Sequence, residues 1–156
     1  MSLAIARLGA DDRPHTDLRT LVEDDASNLA SLMLLAYRGT PDGEGESLET
    51  AVAEVRGTFE GRYGTMIWQA SFVALAPETP FALASAAVVT MWNETPLLAF
   101  SMTQPELTRR GLASSVIRSS ARVLSALGHQ SLGLVVTRGN VPAERLYEKL
   151  GFEDVP

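Results

Sequence analysis

The chain contains no cysteine. That excludes disulfides, thiolate metal sites and a cysteine nucleophile, and it fits a reducing cytoplasm, where the protein is expected to reside. Histidine is almost as scarce. His15 and His129 stand far apart in sequence and without metal-ligand spacing, so no metal site is expected. Basic residues are outnumbered, 13 Lys and Arg against 19 Asp and Glu, for a formal net charge of −6. No basic patch exists beyond Arg109-Arg110, which argues against nucleic acid as a partner. The acidic balance keeps a chain soluble, and the same charge can draw a cationic amine. No apolar run approaches the roughly 20 residues that span a bilayer, so no membrane partner is expected. The first residues lack a basic segment followed by a long apolar core, so no secretory signal is read there. Repeats, low-complexity tracts and domain linkers are also missing.

What is present is a chain of 156 residues, 46% of them hydrophobic, enough for a packed core in one domain spanning 1–156. A short apolar stretch, Leu3 to Leu8, precedes a polar segment. Leu18 to Val22 reads as a strand. Asp24, Asp25 and Ser27 are capping residues for a helix to about Tyr37, with Leu29, Leu32, Met33 and Ala36 as its buried stripe. The acidic, glycine-rich run 39–46 is a loop. Ser47 caps a second helix to about Glu60 with the stripe Leu48, Val52, Val55 and Phe59, and Gly61 ends it. Three strands follow, over 68–76, 81–90 and 97–103, the first two as a hairpin. The apolar run Leu97 to Phe100 suits a central strand covered on both faces. Gly111 to Leu127 is the best helix, with Leu112, Val116, Ile117, Ser120, Leu124 and Leu127 at helical spacing and Gly128 as its stop. A strand over 132–137 leads to a last helix, opened by Asn140 and Pro142 and closed by Gly151. The order implies an α/β (α+β) fold, a mixed, mostly antiparallel sheet flanked by helices.

Two segments carry chemistry. Thr108-Arg109-Arg110-Gly111-Leu112-Ala113 opens the long helix. The first N–H groups of a helix lack internal partners, and the dipole adds positive potential. Gly111 admits a bulky anion, Ala113 leaves the next approach open, and two arginines add charge, so a diphosphate fits. Alone, the hexapeptide equally suits an ordinary helix start after a proline turn. The Gly-Lys-Ser/Thr ending of a mononucleotide loop and the two-glycine dinucleotide fingerprint are both missing. The second segment is Asn140-Val141-Pro142-Ala143-Glu144-Arg145-Leu146-Tyr147-Glu148-Lys149-Leu150-Gly151-Phe152. Ala143, Leu146, Tyr147 and Leu150 form its stripe, so Tyr147 is held rigidly at the core edge. Its hydroxyl can donate a proton to a departing thiolate, or it can be a half-buried core tyrosine with a satisfied hydroxyl. Asn140 can cap the helix or reach a ligand amide.

Residues 97–152, just over a third of the chain, resemble the acyl-CoA-binding half of the GNAT superfamily of N-acyltransferases. That family runs from a central strand to Gln/Arg-x-x-Gly-x-Gly/Ala and then to Asn-x-x-Ala-x-x-Leu-Tyr-x-x-x-Gly-Phe. The second motif is matched by Asn140, Ala143, Leu146, Tyr147, Gly151 and Phe152. Thr108 stands where Gln or Arg is usual, and Arg109 where Gly is frequent. The resemblance implies a central strand splayed from its neighbour, with backbone free for pantetheine at Ser101, Met102 and Thr103. The Ser101 amide would polarise the thioester carbonyl. Amides from Arg109 through Arg110, Gly111, Leu112 and Ala113 to Ser114, next to Thr108, would hold the pyrophosphate. Asn140 and Ala143 would meet the pantetheine arm, and Tyr147 would protonate the sulfur. The family usually has a further strand beyond Phe152. The Leu3–Leu8 segment is a candidate to fill its place.

The implied enzyme is an acetyl-CoA-dependent N-acetyltransferase. It would move an acetyl or other short acyl group to a primary amine directly, in a ternary complex of enzyme, acetyl-CoA and acceptor. A small molecule or a peptide could supply that amine. Many relatives form dimers, which makes a homodimer a possible assembly. The run Leu97 to Phe100 has no carboxylate, where some relatives place a general base. Asp42, Glu44, Glu46 and Glu94 are the loop acids that could line the acceptor side, with Tyr37 and Trp92 as aromatics there. Each also reads as an ordinary solvated or packing residue. The alternative function is a non-catalytic acyl-CoA-binding sensor or partner module of the same fold. A nucleotide-binding module using the helix start alone would leave the second motif unexplained.

Overall fold

The computed structural model describes residues 1–5, 17–38, 40, 46–77 and 79–155. Among these, seven strands form one sheet in the order β1-β7-β6-β5-β4-β2, with β3 paired to β5 beside that path. The strands are β1 (Ser2–Ala4), β2 (Leu18–Thr20), β3 (Thr65–Met66), β4 (Phe72–Ala76), β5 (Thr79–Trp92), β6 (Thr95–Thr103) and β7 (Ser131–Gly133). All pairings are antiparallel except β6 with β7. The helices are α1 (Ala26–Tyr37), α2 (Leu48–Phe59), α3 (Leu112–Ala126) and α4 (Val141–Leu150). The mixed, mostly antiparallel sheet flanked by helices is the one expected.

The sheet is covered on both faces, and β5 shows why. Leu83, Ala86 and Val88 pack with Leu29, Met33 and Val55 of α1 and α2. Ala84, Ala87 and Val89 pack with Val116, Ile117 and Leu124 of α3 and with Tyr147 and Leu150 of α4. A strand buried on both faces needs apolar residues at successive positions, and the alanines let helices lie close to it.

Several local expectations are corrected. Asp25 stands at the N-cap position of α1, but its side chain makes no cap hydrogen bond to that helix. It is buried, takes two hydrogen bonds from the Arg19 guanidinium (2.7 and 2.8 Å) and accepts the Val22 N–H (2.9 Å). Ser47 does cap α2, accepting from the Thr50 N–H at 3.2 Å while the Thr50 hydroxyl accepts from the Ser47 N–H at 2.7 Å. The buried face of α2 is Ala51, Val55 and Thr58, and Leu48 is half exposed. Leu127 likewise lies beyond α3 and is exposed. Trp68–Ala70 is a 3-10 turn, not the start of a strand. The strand expected over 132–137 is only Ser131–Gly133, and Val135 beyond it is 89% exposed.

The amino-terminal segment does reach the sheet edge. Ser2, Leu3 and Ala4 pair antiparallel with Gly133, Leu132 and Ser131. Ser2 and Glu153 also form a bridge through two backbone hydrogen bonds, 2.8 and 2.9 Å long. The segment offered as a filler thus pairs over Ser2–Ala4. Residues 6–8 of it lie outside the described residues.

Candidate active site

The site begins with a strand that loses its neighbour. The parallel pairing of β6 with β7 is confined to Leu97 opposite Gly133. From Leu98 onward no strand lies on that side of β6 among the described residues. The other edge of β6 stays paired to β5 as far as Thr103 opposite Ser85. Val88 pairs with Phe100 and Val89 with Leu98, so Ala99 is an extra residue in β6. Such a bulge re-aims the side chains that follow it. Accordingly Leu98 packs with the α3–α4 cluster, whereas Phe100 and Met102 pack with the α1–α2 cluster.

The separation of β6 from the chain beyond β7 opens a cavity of about 1200 Å³. Its floor is β6 from Leu98 to Thr103, and its far wall is Val135, Val136 and Thr137. The Thr103 hydroxyl is tied to the Ser85 hydroxyl at 2.8 Å. Ser85 in turn donates to the Met102 carbonyl at 2.9 Å. Met102 is 2% exposed and packed into the core, so what it offers the cavity is main chain.

At one end lies the start of α3. Gln104-Pro105 ends β6, and a 3-10 turn over Pro105–Leu107 leads to the loop. Arg109 has φ 67° and Gly111, the N-cap, has φ 77°. Alternation of left-handed with right-handed residues turns successive N–H groups toward one concavity, an anion nest. A β-carbon at Gly111 would meet nothing within 4 Å. Glycine is there for its φ and its open side, not for close packing. Arg109 holds a left-handed conformation that costs a residue with a β-carbon about 1–2 kcal/mol. It does so where the sequence pattern it resembles often has glycine.

Along the rim, α4 contributes Asn140, Ala143, Tyr147, Arg145 and Lys149. Pro142 starts this helix, and Gly151 at φ 101° ends it. Tyr147 is 8% exposed, with its ring edge-on to Phe152 at 5.7 Å. Asn140 does not cap α4 with its side chain, which corrects one of its two expected uses. It lines the cavity instead. At the opposite end α1 and α2 close the cavity with Tyr37, Arg38, Thr40, Glu46, Thr50 and Glu54.

The cavity thus brings together Ser101, Met102, Thr103, Thr108, Arg109, Gly111, Leu112, Ala113, Ser114, Asn140, Ala143, Tyr147, Tyr37 and Glu46. Arg110 is exposed and is not among the residues lining the cavity. Asp42 and Glu44 lie outside the described residues. Glu94 and Trp92 sit at the β5–β6 hairpin, where Asn93 and Glu94 take φ 48° and 66°, and do not line the cavity. Sequence reasoning missed Glu54, Arg145 and Lys149. Thr50 and Glu54 are four residues apart and share one face of α2, but that spacing alone names no partner for Glu54. Among the described residues no group of acidic and histidine side chains could hold a metal, and no helix is long and apolar enough to cross a membrane.

Residues 84–155 match the family described as FR47-like protein. Solved acetyltransferases share the architecture over most of their length. One is the PaiA N-acetyltransferase of Thermoplasma acidophilum in complex with coenzyme A, with TM-score 0.68, 17% identity and coverage of 87% of this chain and 88% of that one. The chain has the GNAT fold. A GNAT-family acetyltransferase from Brucella melitensis in complex with acetyl-CoA superposes with TM-score 0.61 at 16% identity, covering 88% and 82% of the two chains. The aminoglycoside N-acetyltransferase AAC(6')-Iy in complex with CoA does so with TM-score 0.65 at 17% identity, covering 90% and 89%. No curated protein sequence matches the chain. The opened β6 edge and the α3 start lie in the matched region, and α1 and α2 precede it.

Proposed function

We propose that the whole chain acts as one N-acyltransferase domain that moves an acetyl or other short acyl group from acyl-CoA to a primary amine by direct transfer. The observation that carries this reading is a single cavity running from the nest at Arg109–Gly111, along the unpaired edge of β6, to α1 and α2. Coenzyme A fits its charge pattern. Arg109, Arg145 and Lys149 line the cavity, and the side of Gly111 that a β-carbon would fill is open.

In this reading the N–H groups from Arg109 to Ser114 hold the diphosphate, and Arg109 and Lys149 add screened charge. The free edge of β6 at Ser101 and Thr103 aligns the pantetheine amides by strand-like pairing. Asn140 and Ala143 close over that arm. Acyl-CoA supplies the acyl group, activated as a thioester. The Ser101 N–H polarises the acyl carbonyl, a contribution that acts where charge develops. As the amine nitrogen bonds to the acyl carbon and the carbon–sulfur bond breaks, the Tyr147 hydroxyl gives its proton to the leaving sulfur, and the proton lost by the nitrogen passes through water to restore the hydroxyl. Most of the acceleration comes from holding amine and thioester in line, which can supply several kcal/mol. A small molecule or a peptide can provide the amine, and the chain can assemble as a homodimer.

Release of free thiol from acetyl-CoA, followed with a panel of amines, tests the reading. Amine-dependent release supports the transferase. Tight binding of acetyl-CoA with no amine-dependent release would make the chain the binding module instead.

A further inference from the structure

One feature of the acceptor end is built with more constraint than helix α2 itself needs. Glu54 faces the cavity from the middle of α2, and both oxygens of its carboxylate are anchored. The Arg62 guanidinium donates to one and the Tyr63 hydroxyl to the other. Tyr63 is held above the usual tyrosine range by that hydrogen bond, and next by burial and the Glu54 charge, so it remains a donor.

The turn that delivers Arg62 and Tyr63 is itself fixed. Gly57 lies inside α2, where glycine costs about 1 kcal/mol relative to alanine. A β-carbon there would lie 2.6 Å from the Arg62 guanidinium, so its absence lets Arg62 cross the helix to Glu54. Gly61 and Gly64 turn the chain at φ 107° and 101°, and a β-carbon on Gly64 would overlap the Met91 carbonyl. The Thr90 hydroxyl donates to the Tyr63 carbonyl at 2.6 Å. The Tyr63 ring stands edge-on to Phe100 at 5.8 Å, one residue before Ser101. The Glu54 side chain is nevertheless 27% exposed, and each oxygen keeps a lone pair for a ligand. Thr50, one turn earlier on α2, and Glu46, ahead of that helix, also line the cavity.

We infer that Glu54 is a specificity-determining residue that selects acceptors carrying a second cationic group, such as diamines, with Arg62 and Tyr63 as its positioning residues. This deepens the transferase reading and rests on it. The amine that attacks must be neutral, so a fixed carboxylate is most useful to a different ammonium that keeps its charge through the reaction. Arg38 also lines this end. It follows α1 as its C-cap, outside the hydrogen-bonded set that orients Glu54, and its charge works against selection rather than for it.

Three amines of one chain length separate the possibilities: 1,4-diaminobutane, n-butylamine and 4-aminobutanoate, whose far ends are cationic, neutral and anionic. With acetyl-CoA saturating, the wild-type kcat/KM is expected to fall in that order. Glu54→Gln is expected to lower the diaminobutane-to-butylamine ratio about five- to tenfold. Glu54→Asp keeps the charge and should retain a higher ratio than Glu54→Gln, which separates recognition from loss of fold. Tyr63→Phe keeps the ring against Phe100 and should lower the ratio by less. A ratio indifferent to Glu54, or a wild type that prefers butylamine, overturns this inference alone. Coenzyme A binding without turnover of any of the three also overturns this inference, and the wider amine panel then decides the transferase reading separately.

Discussion

Tyr147 is the residue whose chemistry and packing can be separated. Its ring belongs to the core shared by α3, α4 and the sheet, so truncation would damage the fold. Replacing it with phenylalanine removes only the hydroxyl. If that hydroxyl protonates the leaving sulfur, Tyr147→Phe slows transfer by about a hundredfold and leaves coenzyme A affinity nearly unchanged. Single-turnover rates, with chemistry limiting, are the measurement, and equal rates in the two proteins contradict the acid role. A second residue-scale outcome concerns Asp25. Burial alone would raise its pKa, but the Arg19 hydrogen bonds, the Val22 N–H and the Arg19 charge outweigh that and hold it below the usual value. A depressed carboxylate contributes stability that is complete above its unfolded pKa, roughly 3.9, and is lost as pH falls through the folded one. Because Arg19 is 43% exposed, solvent screens much of the pair. Asp25→Asn is therefore expected to lower stability by about 1 kcal/mol at pH 7 and by much less near pH 3. Thermal melts of both proteins across that range check it, and a constant difference would count against the ion pair.

At the scale of elements, the start of α3 carries the most weight. Its geometry departs from an ordinary helix start in having left-handed residues at both 109 and 111. Gly111→Glu puts a carboxylate on the open side of the nest, against the expected phosphate, and forces a side chain into positive φ. Coenzyme A affinity is expected to fall by more than about a hundredfold, two tenfold steps of 1.4 kcal/mol each, while circular dichroism stays that of the wild type. Unchanged affinity by calorimetry would remove the nest from the site. Elements also show what could be read from the sequence. The α3 stripe of Val116, Ile117, Ser120 and Leu124 was legible because 3.6-residue periodicity over four turns has few alternatives. So was the Ser47 cap, a local hydrogen bond between residues three apart. The strand after Leu132 was misread because apolar composition cannot say where a neighbour departs, and Val135 and Val136 keep the pattern after the pairing has ended. Glu54 was missed for the converse reason. Its partners Arg62 and Tyr63 reach it only after Gly61 and Gly64 reverse the chain, and no spacing rule within α2 records that turn.

For the molecule as a whole, the two helical layers have different tasks in this reading. The α3–α4 layer, in the region matching the FR47-like family, presents the nest, Tyr147 and the basic rim. The α1–α2 layer, outside that match, presents Glu46, Glu54 and Tyr37. The sheet joins them through β6, whose bulge at Ala99 sends Leu98 to one layer and Phe100 to the other. A carrier bound by one layer would therefore meet an acceptor bound by the other across the same strand. The direct measurement of the central proposal is a titration of isotope-labelled protein with coenzyme A, followed through the backbone amide resonances. The expected result is that the largest shifts fall on the amides of residues 109–114 and on Ser101, saturating together. Saturable binding that leaves the 109–114 amides unmoved, or no binding at all, would contradict it.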